Sequence, residues 1–405
     1  MSWRFCLPAC MPEQATVAVK YLTTSMNHVR ILIWMFFFCI LLGCRKDESL
    51  SDNPPVSAHR TVLVYLGVDN NFRGEAAKKI QQLKDAWNKN IDGNLLVYAD
   101  AGEQPVLVHI YHSPQRGNVA DTIESYLPEN SASPAVFSRV LHTVKAYRPA
   151  DSYGLAVLSH GTGWLPANMS APSISPKSII VDTAADDPDN YMELAAFAEA
   201  IPYKLDFIIF DACWMGSVEV GYELKDKADY IVASPAEVLE PGFVYSVMMQ
   251  HLFRPQPDLT AVARDFYEYY DRQNDLFRSA TVSVVKTSEL DALVPIVREI
   301  TDGVNLLSED LDAIQTFGYG KQKIYFDLGD YLQKVAPEKQ EIIQTALDQC
   351  VRYKACTPSY YSAGTGRLNT IRAFSGLSVY IPQATYIEAN RVYGELKWPN
   401  ALLNH

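Results

Sequence analysis

The sequence predicts an α/β protein with a mostly parallel central sheet, and three observations lead to that prediction. Near-continuous runs of Val, Ile and Leu indicate strands that are buried on both faces. Helical segments lie between most of these runs, and such alternation is typical of a layered sheet with right-handed crossovers. The chain has 405 residues, of which 48% are hydrophobic, so it can bury a large core.

The predicted strands are short runs rich in β-branched and aliphatic residues, at 61–67, 94–100, 105–112, 153–160, 178–182, 205–213, 230–234 and 280–286. The predicted helices between them cover 75–88, 133–147, 192–201, 217–225 and 260–271. After residue 288 the pattern is mostly helical, over 288–308 and 327–352, with one further strand at 376–382. This last region either completes the same sheet or forms a separate small domain.

The first 43 residues have the features of a signal for export. The apolar run at 31–42 has roughly 12 residues, fewer than the ~20 that a spanning helix needs. Arg30 precedes the run and Gly43 follows it, as in a secretory signal. Met26 opens this signal better than Met1 does, so residues 1–25 either lie before the true start or form a longer n-region. The alternative is a short buried helix, but the run is apolar on every face and has no amphipathic stripe.

Cys44 directly follows Leu41-Leu42-Gly43, and this tetrapeptide resembles a bacterial lipobox. The resemblance implies that Cys44 is lipidated and becomes the N-terminus. Residues 44–59 are polar and contain two consecutive prolines, which favours a solvated tether between the lipid and the folded part. We therefore expect an exported lipoprotein of the outer membrane, the periplasm or the cell surface.

Composition and the motifs that do not occur exclude several classes of function. The chain has 47 acidic and 35 basic residues, a net charge of -12, which argues against binding to nucleic acid. It contains no GxxxxGK[ST], GxGxxG, HExxH or CxxC motif, so common nucleotide and zinc sites lack their ligands. The seven Cys show no tight repeat; Cys350 and Cys356 either form a local disulfide or are two small packed residues. We expect a monomer.

Two strands end in residues that can do chemistry. The strand predicted at 153–160 ends at His160 in the segment Ser159-His160-Gly161-Thr162-Gly163-Trp164. The strand predicted at 205–213 ends at Cys213 and is followed by Trp214-Met215-Gly216. Ligands of open α/β sheets bind outside the carboxyl ends of the strands. If the two strands are neighbours, the imidazole of His160 and the thiol of Cys213 face one crevice, as in a cysteine nucleophile system. Considered alone, the cysteine is consistent with a buried core residue. The histidine alone is consistent with a polar residue whose hydrogen bonds are made within the fold.

The same two segments carry a family resemblance. SHGTGW, followed about fifty residues later by DACWMGSVE, resembles the clostripain family of cysteine endopeptidases, whose clan includes caspases, legumains, gingipains and separases. TVLVYLGVDNNF, YIVASPAEVLEPGFVY, YFDLGDYL and GLSVYIP are similar to other family segments, so the resemblance covers roughly residues 60–385. It implies a caspase-like three-layer sandwich, with a catalytic domain at 60–287 and a mostly helical C-terminal subdomain at 288–405.

The resemblance also implies roles for individual residues. Cys213 would be the nucleophile and His160 the acid and base. The backbone N–H groups of Gly161 and Cys213 would form the oxyanion hole. Asp211 would form an acidic pocket for an Arg or Lys before the scissile bond (P1), although it could instead cap the following turn. Glu237 and Glu240 are further candidates for this pocket.

The segment between the two motifs raises two further expectations. Lys177 is the only basic residue of 165–177, and relatives can be activated by self-cleavage in such a loop. The nearby acidic residues are Asp182, Asp186, Asp187 and Asp189; they lack EF-hand spacing, so a solvated loop is the leading interpretation and calcium the alternative. No cofactor is otherwise required. We therefore predict a lipid-anchored endopeptidase acting on peptides or proteins, with a non-catalytic surface binding lipoprotein of the same fold as the alternative.

Overall fold

A nine-stranded sheet lies at the centre of the computed structural model, which describes residues 58–102, 104–166, 179–182, 190–304, 306, 308–318 and 322–403. All described residues belong to one unit, Pro55–His405. In chain order the strands are β1 (Ala58–Gly67), β2 (Asn94–Asp100), β3 (Val106–Ser113), β4 (Gly117–Ser125), β5 (Ala150–Leu158), β6 (Leu205–Asp211), β7 (Ala228–Ala233), β8 (Thr281–Lys286), β9 (Phe326–Asp327), β10 (Val351–Cys356), β11 (Ser359–Ser362), β12 (Arg367–Thr370) and β13 (Ser378–Val379).

The strand order of the central sheet is β10-β8-β7-β6-β5-β1-β2-β3-β4. The strands β2, β1, β5, β6 and β7 are mutually parallel, and antiparallel pairs extend the sheet on both sides. Two small antiparallel pairs, β11 with β12 and β9 with β13, lie outside it. The predicted α/β class with a mostly parallel sheet is confirmed.

Helices cover both faces of the sheet. They are α1 (Glu75–Ala86), α2 (Pro134–Tyr147), α3 (Leu194–Ala200), α4 (Val218–Glu223), α5 (Tyr245–Leu252), α6 (Leu259–Asp271), α7 (Leu293–Thr301), α8 (Ser308–Ala313), α9 (Leu328–Val335), α10 (Gln340–Cys350), α11 (Ile387–Tyr393) and α12 (Lys397–Leu403), with 3₁₀ turns at Asp275–Phe277, Thr287–Ala292 and Pro337–Lys339.

The side chains of β1 show how the layers are built. Leu63 and Tyr65 point into a core cluster with α2, α3, α4 and the C-terminal helices, whereas Val62 and Val64 point into a second cluster with α1, α5 and α6. Alternate residues of a strand face opposite sides, so an apolar residue at every position needs two apolar layers. The result is a three-layer sandwich.

Several predicted elements differ from those observed. The run at 178–182 forms only an isolated bridge, between Val181 and Tyr191. The predicted strand at 376–382 is reduced to β13. The predicted helix at 327–352 is two helices, α9 and α10, separated at Pro337, because proline interrupts the helical hydrogen bonds. The strand β4 was not predicted, since GNVADTIES is polar on most positions.

The C-terminal region contributes to the main sheet. The strand β10 pairs antiparallel with β8, from Val351 opposite Val285 to Cys356 opposite Thr281. Of the two alternatives for the region after residue 288, the structure therefore shows the one in which it completes the same sheet. Within the described residues we find no helix with both the length and the apolarity needed to cross a bilayer. The predicted signal at 1–43, Cys44 and most of the 44–59 tether lie outside the described residues.

Candidate active site

The structure brings His160 and Cys213 to the same edge of the sheet. The strands β5 and β6 are parallel neighbours, and Leu158 opposite Asp211 is their last pair. Each chain then continues two residues further, to His160 and to Cys213. A Cβ atom on Gly161 would lie 3.2 Å from the backbone N of Cys213, so the two loops are in direct contact. Because parallel strands are ~4.8 Å apart, the histidine and the cysteine lie on adjacent loops at this edge of the sheet.

Cys213 stands on a sharp turn. The next residue, Trp214, has φ +56, a left-handed conformation that is unusual for a bulky residue. Its backbone N–H donates to Ala236 O at 3.0 Å, and its indole Nε1 donates to Phe317 O at 2.9 Å. These bonds hold the turn against two other segments. The Cys213 side chain is partly exposed, and its Sγ accepts the Val238 N–H at 3.3 Å.

His160 is oriented by the loop that follows β1. Its Nε2 lies 2.6 Å from Oδ1 of Asn71, and its ring stacks on Phe72 with a centroid distance of 4.3 Å. An amide oxygen only accepts, so Nε2 carries the hydrogen of this bond. In the neutral ring the lone pair is then on Nδ1. Neither Asn71 nor Phe72 was predicted as a site residue.

A second group of polar residues fixes the loop after β1. Ser159 Oγ donates to Gly67 O at 2.7 Å and accepts the Val181 N–H at 3.1 Å. Asn70 Nδ2 donates to Val181 O at 2.8 Å, while its Oδ1 accepts the Phe72 N–H at 2.9 Å. Both side chains are buried, so these bonds tie the loops after β1 and β5 to one segment.

The two glycines after His160 allow its loop to approach the cysteine turn. A Cβ on Gly161 would lie 2.6 Å from Cys213 O, and one on Gly163 would lie 2.6 Å from Trp214 O. Gly163 also has φ +62, which an L side chain adopts only at a cost. The two glycines of SHGTG are therefore required by backbone packing, independently of any chemistry.

We expect Gly163→Ala to lower the free energy of unfolding by at least about 3 kcal/mol, because it adds a clash with Trp214 O to the left-handed strain. Gly117 is a matched control, since it has φ +71 but open space around its Cβ position. Gly117→Ala should cost only about 1 kcal/mol. Urea unfolding of both variants measures the difference; equal losses would contradict the packing argument.

Asp211 lies at the base of a cavity beside Cys213. The cavity has a volume of about 30 Å³, and its lining includes Phe72, Glu75, Lys79, Asp211, Cys213 and Glu240. Asp211 is 5% exposed; its Oδ1 accepts the Phe243 N–H at 3.2 Å, whereas its Oδ2 accepts no hydrogen bond of regular geometry among the described residues. Burial raises the pKa of this carboxyl.

Asp211 and Cys213 reach the cavity from different parts of the backbone. The strand β6 ends at Asp211, so Cys213 is in the turn and not two positions along the same strand. Both residues nevertheless line the cavity. Gly242 closes the other side with φ +74, and a Cβ atom there would overlap the Asp211 carboxylate. Only glycine allows the loop after β7 to lie this close.

The structure places the two glutamates predicted for this pocket in different surroundings. Glu240 lines the cavity, and its contact with the Glu75 carboxyl is the main cause of its raised pKa. Glu237 does not line it. Its Oε2 accepts the Ala363 N–H at 2.9 Å, from the tip of the β11–β12 hairpin, and burial raises its pKa to about 6. Oε2 is thus bonded to the hairpin backbone and Glu237 does not line the cavity, so its assignment to the pocket is corrected.

The remaining predicted residues lie elsewhere or outside the described part. Asp182 Oδ2 accepts the Ser131 N–H at 2.8 Å. Within the described ranges no group of three His, Cys, Asp or Glu is arranged to hold a metal ion. Lys177, Asp186, Asp187 and Asp189 lie outside those ranges. Cys350 and Cys356 are reduced thiols, so the packed alternative applies to them in this structure.

A cysteine and a histidine therefore lie at adjacent carboxyl ends of parallel strands in a three-layer sandwich. Comparison with known proteins gives the family. The clostripain family model matches residues 64–382. The chain therefore belongs to the clostripain family.

Individual relatives agree with this assignment. The chain is 24% identical over 245 residues to clostripain of Hathewaya histolytica, a match that covers 51% of the chain and 46% of that protein. It thus matches less than half the length of this relative. The inactive zymogen of a C11 protease from Parabacteroides distasonis is 31% identical, with a TM-score of 0.75, over 86% of this chain and 99% of that one.

A second solved structure carries a ligand. A secreted C11 cysteine protease from Bacteroides thetaiotaomicron, in complex with an irreversible peptide inhibitor, is 29% identical with a TM-score of 0.74. The likeness covers 85% of this chain and 99% of that one. The mostly parallel sheet between two helical layers is therefore shared along nearly the whole of both solved relatives.

Proposed function

We propose that this protein hydrolyses peptide bonds by a Cys213–His160 dyad, on the carboxyl side of Arg or Lys. The observation that carries the proposal is the position of both residues two steps beyond the last paired residues of β5 and β6. Cys213 Sγ accepts the Val238 N–H at 3.3 Å and lies 3.8 Å from Val238 O, so the Val238 backbone positions the sulfur beside the cavity.

In the proposed reaction, the Cys213 thiolate attacks the carbonyl carbon of the scissile bond. The N–H groups of Gly161 and Cys213 stabilise the oxyanion, and glycine at 161 lets the two loops pack together with no side chain between them. His160 donates a proton to the leaving amine as the C–N bond breaks, leaving a thioester on Cys213. Water, deprotonated by His160, then hydrolyses the thioester and releases the acid.

The substrate preference is proposed from the charge of the cavity. Asp211, Glu75 and Glu240 line it, and a guanidinium or an ammonium that enters it would pair with these carboxylates. A scan of P1 residues in a fluorogenic peptide library tests this, with Arg and Lys expected as the best substrates. Cleavage with no preference for either would contradict the proposed specificity. The absence of all turnover would favour the binding lipoprotein.

Asn71 provides a test of the histidine's role. Asn71→Ala should lower kcat about tenfold with KM little changed, because the imidazole loses its positioning partner. Asn71→Asp keeps the acceptor and adds a negative charge, which stabilises the imidazolium. The high-pH limb of the kcat/KM profile of Asn71→Asp should therefore move to higher pH by about one unit. Steady-state kinetics across pH measure both effects; an unchanged kcat in Asn71→Ala would refute the positioning role.

We also propose that the mature chain is anchored by a lipid on Cys44 and that it needs no cofactor. Mass spectrometry of the membrane fraction should find the lipid on Cys44, and Cys44→Ser should release the protein from that fraction.

Activity should survive chelation with EDTA. A loss that calcium alone restores would instead support a site in the acidic segment 182–189. Self-cleavage after Lys177 would appear as a new N-terminus at residue 178, which Lys177→Ala should remove.

A further inference from the structure

Lys79 is a lysine buried in the wall of the candidate substrate pocket. It belongs to the second turn of α1 and is 1% exposed, although lysine is almost never fully buried without a partner. The same helix has its other lysines, Lys78 and Lys84, at least partly exposed. An ammonium group taken out of water costs several kcal/mol unless its surroundings compensate. The contacts of Lys79 therefore identify the groups that compensate for its lost hydration.

The Lys79 ammonium is held by the loop that closes the pocket. Nζ donates to Pro241 O and, at 3.4 Å, to Phe243 O. It also lies 4.4 Å from the ring centroid of Tyr245, a cation–π contact with the first residue of α5. These three partners fix the position of the charge.

The same loop brings the ammonium close to Asp211. Phe243 gives its N–H to Asp211 Oδ1 and its carbonyl to Lys79, and the buried Tyr245 hydroxyl lies beside the Asp211 carboxyl. Both Lys79 and Asp211 line the cavity. The Lys79 charge also opposes the effect of burial on the pKa of Asp211. The pocket therefore contains an acidic group together with an internal cation of this chain.

We propose that Lys79 is a specificity-determining residue, whose ammonium partly neutralises the acidic pocket and so limits the preference for a cationic over a neutral P1 side chain. The inference rests on the proposed cleavage after basic residues. A buried carboxylate with no internal cation would rely on the substrate for its counter-charge. Here Lys79 already supplies part of the counter-charge for Asp211. A P1 ammonium is also repelled by Lys79 at short range in a poorly solvated site.

The test compares two substrates that differ only in charge. Peptides with P1 Lys and with P1 norleucine, its neutral analogue, give a ratio of kcat/KM values for each variant. Lys79→Met removes the charge and keeps an unbranched chain, and we expect it to raise the Lys-to-norleucine ratio about tenfold. Lys79→Arg keeps the charge and should leave the ratio close to that of the wild type. Lys84→Met, on the same helix but outside the cavity, should leave it unchanged.

The outcomes separate this inference from the function on which it rests. A wild-type enzyme without preference for P1 Lys would refute the proposed specificity. If Asp211→Asn abolishes that preference while Lys79→Met leaves the ratio unchanged, the proposed function stands and the role of Lys79 is refuted. Lys79→Gln retains a donor for the two carbonyls and should fold even if Lys79→Met does not. Unfolding of both variants would assign Lys79 a structural role alone and overturn the inference.

Discussion

Cys213→Ala is expected to lower kcat/KM for a P1 Lys peptide by at least about a thousandfold. The thiolate is the only group proposed to form a bond with the substrate, and alanine removes it without disturbing the turn. Trp214 N–H would still donate to Ala236 O, and Gly161 would still pack on the backbone of residue 213. Stability should therefore change little while turnover is lost.

Initial rates with a fluorogenic peptide, together with thermal unfolding, measure this prediction. Cys356→Ala is the matched control, because Cys356 is also a partly exposed thiol. Burial raises the pKa of Cys356 to about 11, so its thiol stays protonated near neutral pH and is a poor nucleophile. That variant should keep full activity. Comparable losses in the two variants would contradict the assignment of Cys213 as the nucleophile.

Asp211→Asn is expected to reduce kcat/KM for P1 Arg and Lys peptides about a hundredfold and to affect a P1 norleucine peptide only slightly. The substitution keeps the size of the side chain and removes its charge. A cationic P1 side chain then loses a charge-assisted hydrogen bond in a site where water is scarce. The fold should tolerate the change, because the neutral amide avoids the cost of burying a carboxylate.

The control for Asp211 is Glu237→Gln. Glu237 is a buried carboxyl in the loop after β7, but it bonds to Ala363 on the hairpin and does not line the cavity. Its neutral analogue should leave the P1 preference unchanged. Steady-state kinetics of both variants with the P1 Arg, P1 Lys and P1 norleucine peptides measure the difference in P1 preference. If Asp211→Asn lowers kcat/KM equally for charged and neutral P1 side chains, Asp211 shapes the turn and does not recognise the P1 charge.

The sequence was sufficient to place His160, Cys213 and most of the sheet, and the reasons are physical. Apolar runs such as 61–67 and 94–100 fit only strands covered on both faces, and the structure has them as β1 and β2. A polar residue directly after such a run has to lie at the edge of the sheet. This reasoning located His160 and Cys213, although it did not establish that β5 and β6 are neighbours.

Other features depend on contacts between distant segments and leave no local pattern. Asn71 reaches His160 from 89 positions earlier in the chain. Lys79 looks like an ordinary exposed lysine of an amphipathic helix until the loop at 241–243 covers it. Glu237 and Glu240 are three residues apart and look equivalent in sequence, yet the loop turns one toward the hairpin and the other into the cavity. Such side-chain directions follow only from the folded loop.

The most direct test of the central claim is to find the site at which a thiol-reactive peptide electrophile with P1 Lys modifies the native protein. Peptide mapping by mass spectrometry should find one adduct, on Cys213, formed much more slowly in His160→Ala and absent in Cys213→Ala. Modification of Cys350 or Cys356 in preference to Cys213, or labelling of Cys213 at the same rate without His160, would contradict a dyad at the ends of β5 and β6.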